Sequence, residues 1–234
     1  MTGYSRPLPR VSVVIPTLNE ASMIAGCLMS LVGLGADEVV VVDAASPDGT
    51  AEIARGLGVR VIESCRGRGV QQNLGAMATT GEVLLFLHAD CRPAPSAILK
   101  LKQFVASNPR VPGGCLRMRV DTNGLAFRMI DATAHVRAGV LGVPYGDQAI
   151  FARRRAFEAV GGFPETKLMD DVLFSLKLRR LGRVALLRPE VRVSDRRWRA
   201  CGIARQTARN WLLTAMAAAG VSPDRLARFY PAVR

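Results

Sequence analysis

Asp90 stands in the sequence where a side chain could hold a metal ion. It follows a run of apolar residues in "EVLLFLHADCRP", and His88 lies two residues earlier, on the same side of an extended chain. A carboxylate at a strand end is commonly a cap or an acceptor of loop hydrogen bonds. The chemical alternative is a ligand for Mg²⁺ or Mn²⁺, which often take only one or two protein carboxylates beside phosphate oxygens and water. For His88, metal binding, donation to a phosphate and simple packing all stay open.

Asp170 and Asp171, in "LMDDVLFSLKLRRLG", are the candidates for general-base chemistry. The stretch predicts a helix that begins at these acids and ends before Gly182, and acids in a first turn often serve only the helix dipole. The alternative is that one of them points into a cleft, within hydrogen-bond reach of the proton that it removes. Asp147, in "YGDQ", is a rival base.

The segments that would carry these side chains alternate between strand and helix patterns. Short β-branched or apolar runs predict buried strands at "VSVVIP", "DEVVVVD" and "VLLFL" and a further strand at "VRVIE", with helical patterns between them. This order predicts an α/β fold with a mostly parallel sheet flanked by helices. Ligands bind outside the carboxyl ends of the strands in such sheets. Three of these ends are polar, "PTLNE", "DAASPDGT" and "HADCRP", so we expect them to share one ligand-binding edge.

The second half of the chain has a mixed pattern. "GGCLRMRVD" predicts a strand with one basic, solvated face, and further strands are predicted at "DQAIFARR", "RVALL" and "EVRVS". A helix is predicted from Leu125 to Arg137. The helix from Ile203 to Ala219 carries an apolar stripe of Ala204, Ala208, Trp211, Leu212, Ala215, Met216 and Ala219. We expect this stripe to pack on the domain, and contact with an anionic membrane surface is the alternative.

Several polar residues have a purely local interpretation. Asp48, in "SPDGT", suits a turn and helix cap, and Asn19 and Glu20 could simply start the first helix. The basic turn "RGRG" would let backbone N–H groups approach a phosphate. It lacks the spacing of established phosphate-binding loops, so a solvated loop is the simpler interpretation of this motif alone.

The charge balance favours anionic partners. The 234 residues include 32 Lys and Arg against 19 Asp and Glu, a net charge of +13. Charge is the only feature that suggests nucleic acid, so we do not expect nucleic-acid binding. Five scattered cysteines without a C-x-x-C pair favour reduced thiols in the cytoplasm. The N-terminus lacks a secretion-signal pattern, and no apolar run approaches the ~20 residues that span a bilayer. A cytoplasmic protein is expected, with peripheral contact at the inner face of the membrane as the alternative.

The motifs together resemble a known family. "VSVVIPTLNE", "VVDAASPDGT", "GRGVQQNLGA", "LLFLHAD", "GGFPE" and "LMDDVLFSLKLRRLG" occur in the order typical of family 2 glycosyltransferases with the GT-A fold. "GDQ", "RRW" and the tail "SPDRLARFYPAVR" resemble a small bacterial subfamily described as arsenosugar-biosynthesis-type glycosyltransferases. The resemblance covers nearly the whole chain. It implies one Rossmann-like GT-A domain over residues 1–234, with a nucleotide-sugar-binding half (10–92), a mixed acceptor and catalytic half (113–200) and C-terminal helices (201–234).

The resemblance also implies a reaction and a site. It implies inverting, metal-dependent transfer of a sugar from a nucleoside diphosphate donor, with uridine favoured as the base, to an unknown acceptor hydroxyl. Asp171 would be the base, Asp170 would support it, and Asp90 would hold Mg²⁺ or Mn²⁺ on the diphosphate, where the cation stabilises charge on the leaving group. The donor side would include Pro16, Thr17, Asn19, Glu20, Asp43, Arg68, Asn73, His88 and Ala89. The acceptor side would include Asp147, Gln148, Arg197 and Trp198.

Three residues depart from the family pattern. Ala44 replaces an acid after the second strand, which leaves the nucleoside base open, and Asp170 replaces a commoner glutamate. His88 replaces the first acid of Asp-x-Asp, which should weaken metal binding. Two alternatives therefore stay open: a nucleotidyltransferase, which would need no base at the acidic pair, and a nucleotide-sugar-binding protein without turnover.

Overall fold

The computed structural model describes residues 7–218 and 221–226 as an eight-stranded sheet flanked by helices. The strands are β1 (Val11–Thr17), β2 (Glu38–Asp43), β3 (Arg60–Glu63), β4 (Val83–Phe86), β5 (Cys91–Pro93), β6 (Gly113–Val120), β7 (Ile150–Arg153) and β8 (Ala185–Val193). The helices are α1 (Ala21–Leu31), α2 (Thr50–Gly56), α3 (Arg68–Met77), α4 (Ala97–Ser107), α5 (Leu125–Val136), α6 (Arg154–Ala159), α7 (Asp170–Arg179), α8 (Arg196–Cys201), α9 (Ile203–Ala218) and α10 (Pro223–Leu226). A π-helical turn (Arg137–Leu141) extends α5, and a 3₁₀ turn (Gly146–Gln148) precedes β7.

The sheet has a parallel half and a mixed half. Its order is β3-β2-β1-β4-β7-β6-β8-β5. The first four strands are mutually parallel, and the register of β1 on β2 places Thr17 beside Asp43. Strand β7 is antiparallel to both of its neighbours, whereas β6 and β8 are parallel. The expected α/β class, with a mostly parallel first half and a mixed second half, is confirmed.

The short link from β4 to β5 requires the sheet to curl. Four strand steps separate β4 from β5 in the sheet, which in a flat sheet would be about 19 Å. The chain from Phe86 to Cys91 can reach at most about 17 Å when fully extended. It is not extended, because Cys91 N–H donates to His88 O at 3.0 Å. The curl therefore brings the mixed half round to the end of β4, where His88 and Asp90 lie.

Alternating residues of the strands pack on opposite layers of helices. Val13 belongs to the core cluster on the side of α1 and α4, which includes Leu28 and Leu101. Its neighbour Val14 belongs to the cluster on the side of α3 and α7, which includes Phe174. A strand covered on both faces shows a continuous apolar run, which explains the sequence signal of β1, β2 and β4; the edge strand β3 is exposed at both of its ends.

Three predicted strand boundaries are wrong, two in the mixed half and one in the parallel half. The strand predicted from Asp147 begins only at Ile150, because Gly146–Gln148 form the 3₁₀ turn. "RVALL" and "EVRVS" belong to one strand, β8, whose register on β6 shifts between Leu116 and Arg117 to absorb the extra residues. Strand β4 ends one residue earlier than the predicted "VLLFL".

The predicted packing of the C-terminal stripe is confirmed for Met216, which packs against a core cluster that includes Leu213, and is wrong for four other members. Trp211 and Leu212 are 59% and 60% exposed, and Ala204 and Ala208 are exposed as well. The buried side of α9 instead carries Gln206 and Leu213. Ala219 and residues 227–234, which include most of the predicted tail motif, lie outside the described residues. Within the described part of the chain, no helix has the length and apolarity needed to cross a membrane.

Candidate active site

A cavity of about 380 Å³ lies beside the end of β4. Its walls come from seven parts of the chain: the residue after β1, the start of α3, the residues after β4, the turn before β7, the loop and start of α7, the end of β8 with α8, and the inner side of α9. Among the lining residues are His88, Asp90, Arg68, Tyr145, Asp147, Lys167, Asp170, Asp171, Arg197, Trp198, Gln206, Asn210 and Leu213. The structure thus brings both groups of candidate acids, which are about 80 residues apart in sequence, to one cavity.

Asp171 is oriented by two backbone donors. Its Oδ2 accepts the N–H of Gly146 at 2.7 Å, and its Oδ1 accepts the N–H of Val172 at 2.8 Å. The side chain is buried at the first turn of α7 and lines the cavity. An ionised carboxylate has about four lone-pair sites, so two such bonds leave it able to accept a proton from a bound hydroxyl.

Asp170 is engaged by Arg68 of α3. The Arg68 Nε lies 3.0 Å from each carboxylate oxygen, and Nη2 lies 2.5 Å from Oδ1. Burial raises the pKa of Asp170, and the neighbouring Arg68 acts in the opposite direction. This bidentate pair fixes the guanidinium at the cavity wall. Asp170 thus orients Arg68, while the adjacent Asp171 carries the more available carboxylate.

His88 lies against the turn that holds Asp171. A Cβ built on Gly146 would lie 2.6 Å from His88 Nε2 and 3.3 Å from Asp171 Oδ2. This Nε2 is buried and has no hydrogen-bond partner among the described residues. Burial, reinforced by Arg68, lowers the pKa of His88 to about 4. The imidazole is therefore neutral at physiological pH.

Asp90 faces an arginine of α8. Its Oδ2 lies 3.4 Å from Nη2 of Arg196, and the same Nη2 lies 2.7 Å from Oε1 of Glu20. Among the described residues no cluster of three or more His, Cys, Asp or Glu could cage a metal ion. One carboxylate on a cavity wall nevertheless fits Mg²⁺ or Mn²⁺ when a diphosphate and water provide the other oxygens. The residues present therefore fit a cation shared with a nucleotide and do not fit a protein-only site.

Asp147 combines burial with an unpaired oxygen. Its Oδ1 has no hydrogen-bond partner among the described residues. Burial raises the pKa of this carboxyl to about 6; Arg137 opposes the shift, and the negative charges of Asp171 and Asp90 add to it. Asp147 lines the same cavity as Asp171, which keeps it as the alternative base.

Two predicted acceptor-side residues have clear packing roles. The Gln148 Oε1 accepts from Arg137 Nη2 at 2.9 Å and from Tyr145 N–H at 3.2 Å, so this buried amide holds the turn together. Trp198 is buried and packs edge-on against Phe127, with ring centroids 6.5 Å apart. Trp198 and Arg197 line the cavity, whereas Gln148 does not belong to its lining.

The predicted nucleoside-binding residues form a tight network beside the cavity. Asp43 is buried, and its Oδ1 accepts the hydroxyls of Thr17 at 2.8 Å and Ser46 at 2.7 Å. Asn19 is exposed with its N–H bound to Ser46 Oγ, while Pro16 and Ala89 are buried. These residues meet at one sheet edge, as expected. Since they are not part of the cavity lining, their role with a nucleoside stays a prediction.

Asn73 lies away from the cavity lining. Its Nδ2 donates to Phe163 O at 2.9 Å, and its Oδ1 accepts the N–H of Phe163 at 2.9 Å. Both ends of the amide are therefore used to hold the "GGFPE" loop on α3. This geometry does not support the predicted role of Asn73 on the donor side.

The sequence interpretation missed several lining residues. Gln71 is buried and donates to Thr17 O at 2.7 Å and to Val42 O at 2.8 Å, which ties α3 to the ends of β1 and β2. Gln206, Asn210 and Leu213 bring α9 into the site. The available signal was the i, i+4, i+7 spacing of these three residues, which shares one side of a helix.

Comparisons with known proteins identify the family. The model of the family described as glycosyl transferase family 2 matches residues 12–161. The chain belongs to glycosyl transferase family 2. The resemblance seen in the sequence is thereby confirmed at the level of the family, while the subfamily stays a prediction.

Several relatives carry glycosyltransferase names. The chain is 29% identical to glycosyltransferase AglE of Haloferax volcanii over 67% of this chain and 57% of that protein. It is 26% identical to the O-antigen chain rhamnosyltransferase RfbN of Salmonella typhimurium over 74% of this chain and 62% of that protein. The chain thus spans less than two thirds of the length of these relatives.

A solved structure supports the GT-A fold of this family 2 member. The mannosyltransferase PcManGT of Pyrobaculum calidifontis, described in complex with GDP-Man and Mn²⁺, aligns with a TM-score of 0.64 at 25% identity. The alignment covers 81% of this chain and 60% of that one. TarS of S. aureus, in complex with UDP-GlcNAc, aligns at a TM-score of 0.59 and 21% identity over 79% of this chain and 58% of that one, which bears on the fold alone.

Proposed function

We propose that the protein transfers a sugar, with inversion, from a nucleoside diphosphate sugar to an acceptor hydroxyl. The observation that carries the proposal is the position of Asp171, which two backbone N–H donors hold in the wall of the same cavity as Asp90. A fixed carboxylate base on one side and a site for the leaving diphosphate on the other suit in-line attack on the anomeric carbon.

Four charged groups of the cavity have a role in this reaction. Asp171 removes the proton of the attacking hydroxyl, and Arg68, held by Asp170, presents a positive charge to the donor. Asp90 would bind Mg²⁺ or Mn²⁺, which when bound would stabilise the charge that grows on the leaving diphosphate. The neutral His88 stands where the family has the first acid of Asp-x-Asp, so it adds no negative charge beside the donor phosphates.

The donor is proposed from the family and the charge of the site. PcManGT is described with GDP-Man and TarS with UDP-GlcNAc, so both uridine and guanosine donors occur on this fold. A uridine diphosphate sugar is our first choice. Ala44, which stands where the family commonly has an acid, is the reason to screen other bases beside it. The acceptor side is the part of the cavity lined by Asp147, Arg197 and Trp198.

A thermal-shift screen of UDP, GDP and dTDP sugars, each with Mn²⁺, Mg²⁺ or EDTA, would identify the donor without requiring turnover. A ligand at 100 times its dissociation constant stabilises the fold by about 2.7 kcal/mol. We expect the shift to require the divalent cation.

Calorimetry on Asp90→Ala tests the proposed metal ligand, with the exposed Asp121→Ala as a matched control. Unchanged metal-dependent affinity in Asp90→Ala would exclude Asp90 as the ligand.

The base is tested by Asp171→Asn, which keeps the shape of the side chain but only one of its two acceptor oxygens, so circular dichroism must confirm that the variant folds. We expect donor binding to be retained and sugar transfer to fall by about 10²–10⁴-fold. Transfer at the wild-type rate would move the base to Asp147. NMR of the product would show the opposite anomeric configuration to the donor, and retention of configuration would overturn the inverting mechanism.

A further inference from the structure

Exposed apolar side chains concentrate on two helices of the described chain. Of fifteen large apolar side chains that are exposed among the described residues, seven lie on α5, its π-helical extension and α9: Leu125, Met129, Val136, Val140, Leu141, Trp211 and Leu212. Their exposed fractions range from 55% to 80%. We refer to these seven residues as the apolar face. An unpartnered concentration of this kind usually marks an interaction surface.

The two parts of the apolar face are neighbours. A small cavity of about 40 Å³ is lined by Ile130 and Thr133 from α5 and by Thr207 and Trp211 from α9, which places the two helices side by side. On the first helix, Leu125, Met129, Val136 and Val140 recur at intervals that share one side. The apolar face therefore extends across both helices.

Nearly all charged residues of the two helices that carry the apolar face are basic. The ranges 125–141 and 203–218 contain a single acid, Asp131, which is buried and lies 2.6 Å from Nη1 of Arg128. Arg205 is exposed on α9, and the exposed Arg179 donates to the carbonyl of Leu141 at 2.9 Å. A net charge of +13 acts in the same direction.

We propose that the apolar face docks on an anionic lipid bilayer. Helices with an apolar side and flanking arginines lie in the plane of the bilayer surface, with the apolar side chains about 5–10 Å deep and the basic groups at the lipid headgroups. Trp211 suits this interface because its indole is amphipathic. A symmetric contact with a second copy suits the face less well, since each basic rim would then meet itself.

This orientation connects the membrane to the cavity. The apolar side chains lie on the outer side of α9, and Gln206, Asn210 and Leu213 on its inner side line the cavity. Docking places this wall of the site next to the bilayer. With the proposed function, the acceptor hydroxyl would enter the cavity at the membrane surface. This consequence rests on the proposed function, whereas docking on the bilayer does not rest on it.

Vesicle co-sedimentation tests the proposal without donor or acceptor. We expect the protein to bind phosphatidylcholine vesicles that contain phosphatidylglycerol, to bind pure phosphatidylcholine much more weakly, and to lose binding in high salt. The double variant Val140→Ser with Trp211→Ser should bind at least about tenfold more weakly, because both side chains would lose apolar burial. The control is Val32→Ser with Met77→Ser, which removes two side chains of 79% and 80% exposure elsewhere.

A second pair, Leu125→Ser with Met129→Ser, repeats the test on α5 alone, and circular dichroism checks that each variant folds. Equal vesicle binding by the face variants and the control variant, or no binding to phosphatidylglycerol vesicles, would overturn the proposal.

Analytical ultracentrifugation tests whether a second copy of the protein covers the apolar face instead. A dimer that Val140→Ser with Trp211→Ser abolishes, without vesicle binding, would assign the face to self-association and overturn the proposal. Donor-induced thermal shifts are measured separately, so failure of docking and failure of the proposed function remain distinct results.

Discussion

Arg196 holds Asp90 in the free protein, with its Nη2 3.4 Å from Asp90 Oδ2. Glu20 fixes the same guanidinium at 2.7 Å, so Asp90 already faces a positive charge where the proposed cation would bind. A resident arginine competes with the cation for the carboxylate, and nucleotide binding would have to displace it or use it as a second positive charge.

Arg196→Gln distinguishes competition from cooperation. If the guanidinium competes, its removal should tighten Mn²⁺ binding without nucleotide by about 1 kcal/mol, the scale of a partly exposed ion pair. Calorimetric titration with Mn²⁺ measures this change. The control is Arg199→Gln on the same helix, whose side chain is 72% exposed and pairs with Asp195. Weaker Mn²⁺–nucleotide binding in Arg196→Gln would instead make Arg196 a phosphate ligand.

Gly146→Ala should impair both catalysis and folding. The new Cβ would lie 2.6 Å from His88 Nε2 and 3.3 Å from Asp171 Oδ2, so the imidazole or the turn must shift. Overpacking of this kind costs about 1–3 kcal/mol of stability, and misplacement of the base should lower the transfer rate by about 10²-fold. Unfolding in urea and steady-state transfer assays measure the two effects. The control is Gly56→Ala, where a Cβ meets nothing within 4 Å. A wild-type transfer rate in Gly146→Ala would show that this packing does not matter.

Asp147 should make the protein less stable as the pH rises from about 4 to about 6. Burial raises the pKa of this carboxyl to about 6 in the folded state, against about 3.9 when unfolded. Between these values the unfolded chain has lost a proton that the folded protein keeps, so ionisation favours unfolding, and the loss is complete above the folded pKa. Asp147→Asn removes this dependence.

Relative to the wild type, Asp147→Asn should therefore gain on the order of 2 kcal/mol at pH 7 compared with pH 4. Urea unfolding of the metal-free protein at both pH values measures the difference, with the exposed Glu165→Gln as control. The same pH dependence in wild type and Asp147→Asn would contradict the raised pKa.

The parallel half of the fold was predictable because its signals are local. Val13 and Val14 are buried on opposite faces, so the strands read as continuous apolar runs, and the acids that open α7 suit a helix start. The side of α9 that meets the domain was not predictable. Its periodicity defines two faces, and the buried one carries the polar Gln206 because it lines the cavity. The bonds of Asn73 to Phe163, 90 residues away, likewise have no local signal.

Arg68 and Asp170 should behave as a coupled pair. Arg68→Met leaves the buried carboxylate of Asp170 without its three charge-assisted contacts, so we expect a loss of about 3 kcal/mol in the free energy of unfolding. Adding Asp170→Asn removes the uncompensated charge and should restore much of that loss, which urea unfolding of both single variants and the double variant would measure. The control is Arg55→Met, which breaks an exposed pair with Glu63 and should cost at most about 1 kcal/mol. A loss in Arg68→Met no greater than in Arg55→Met would mean that the pair does not stabilise the start of α7.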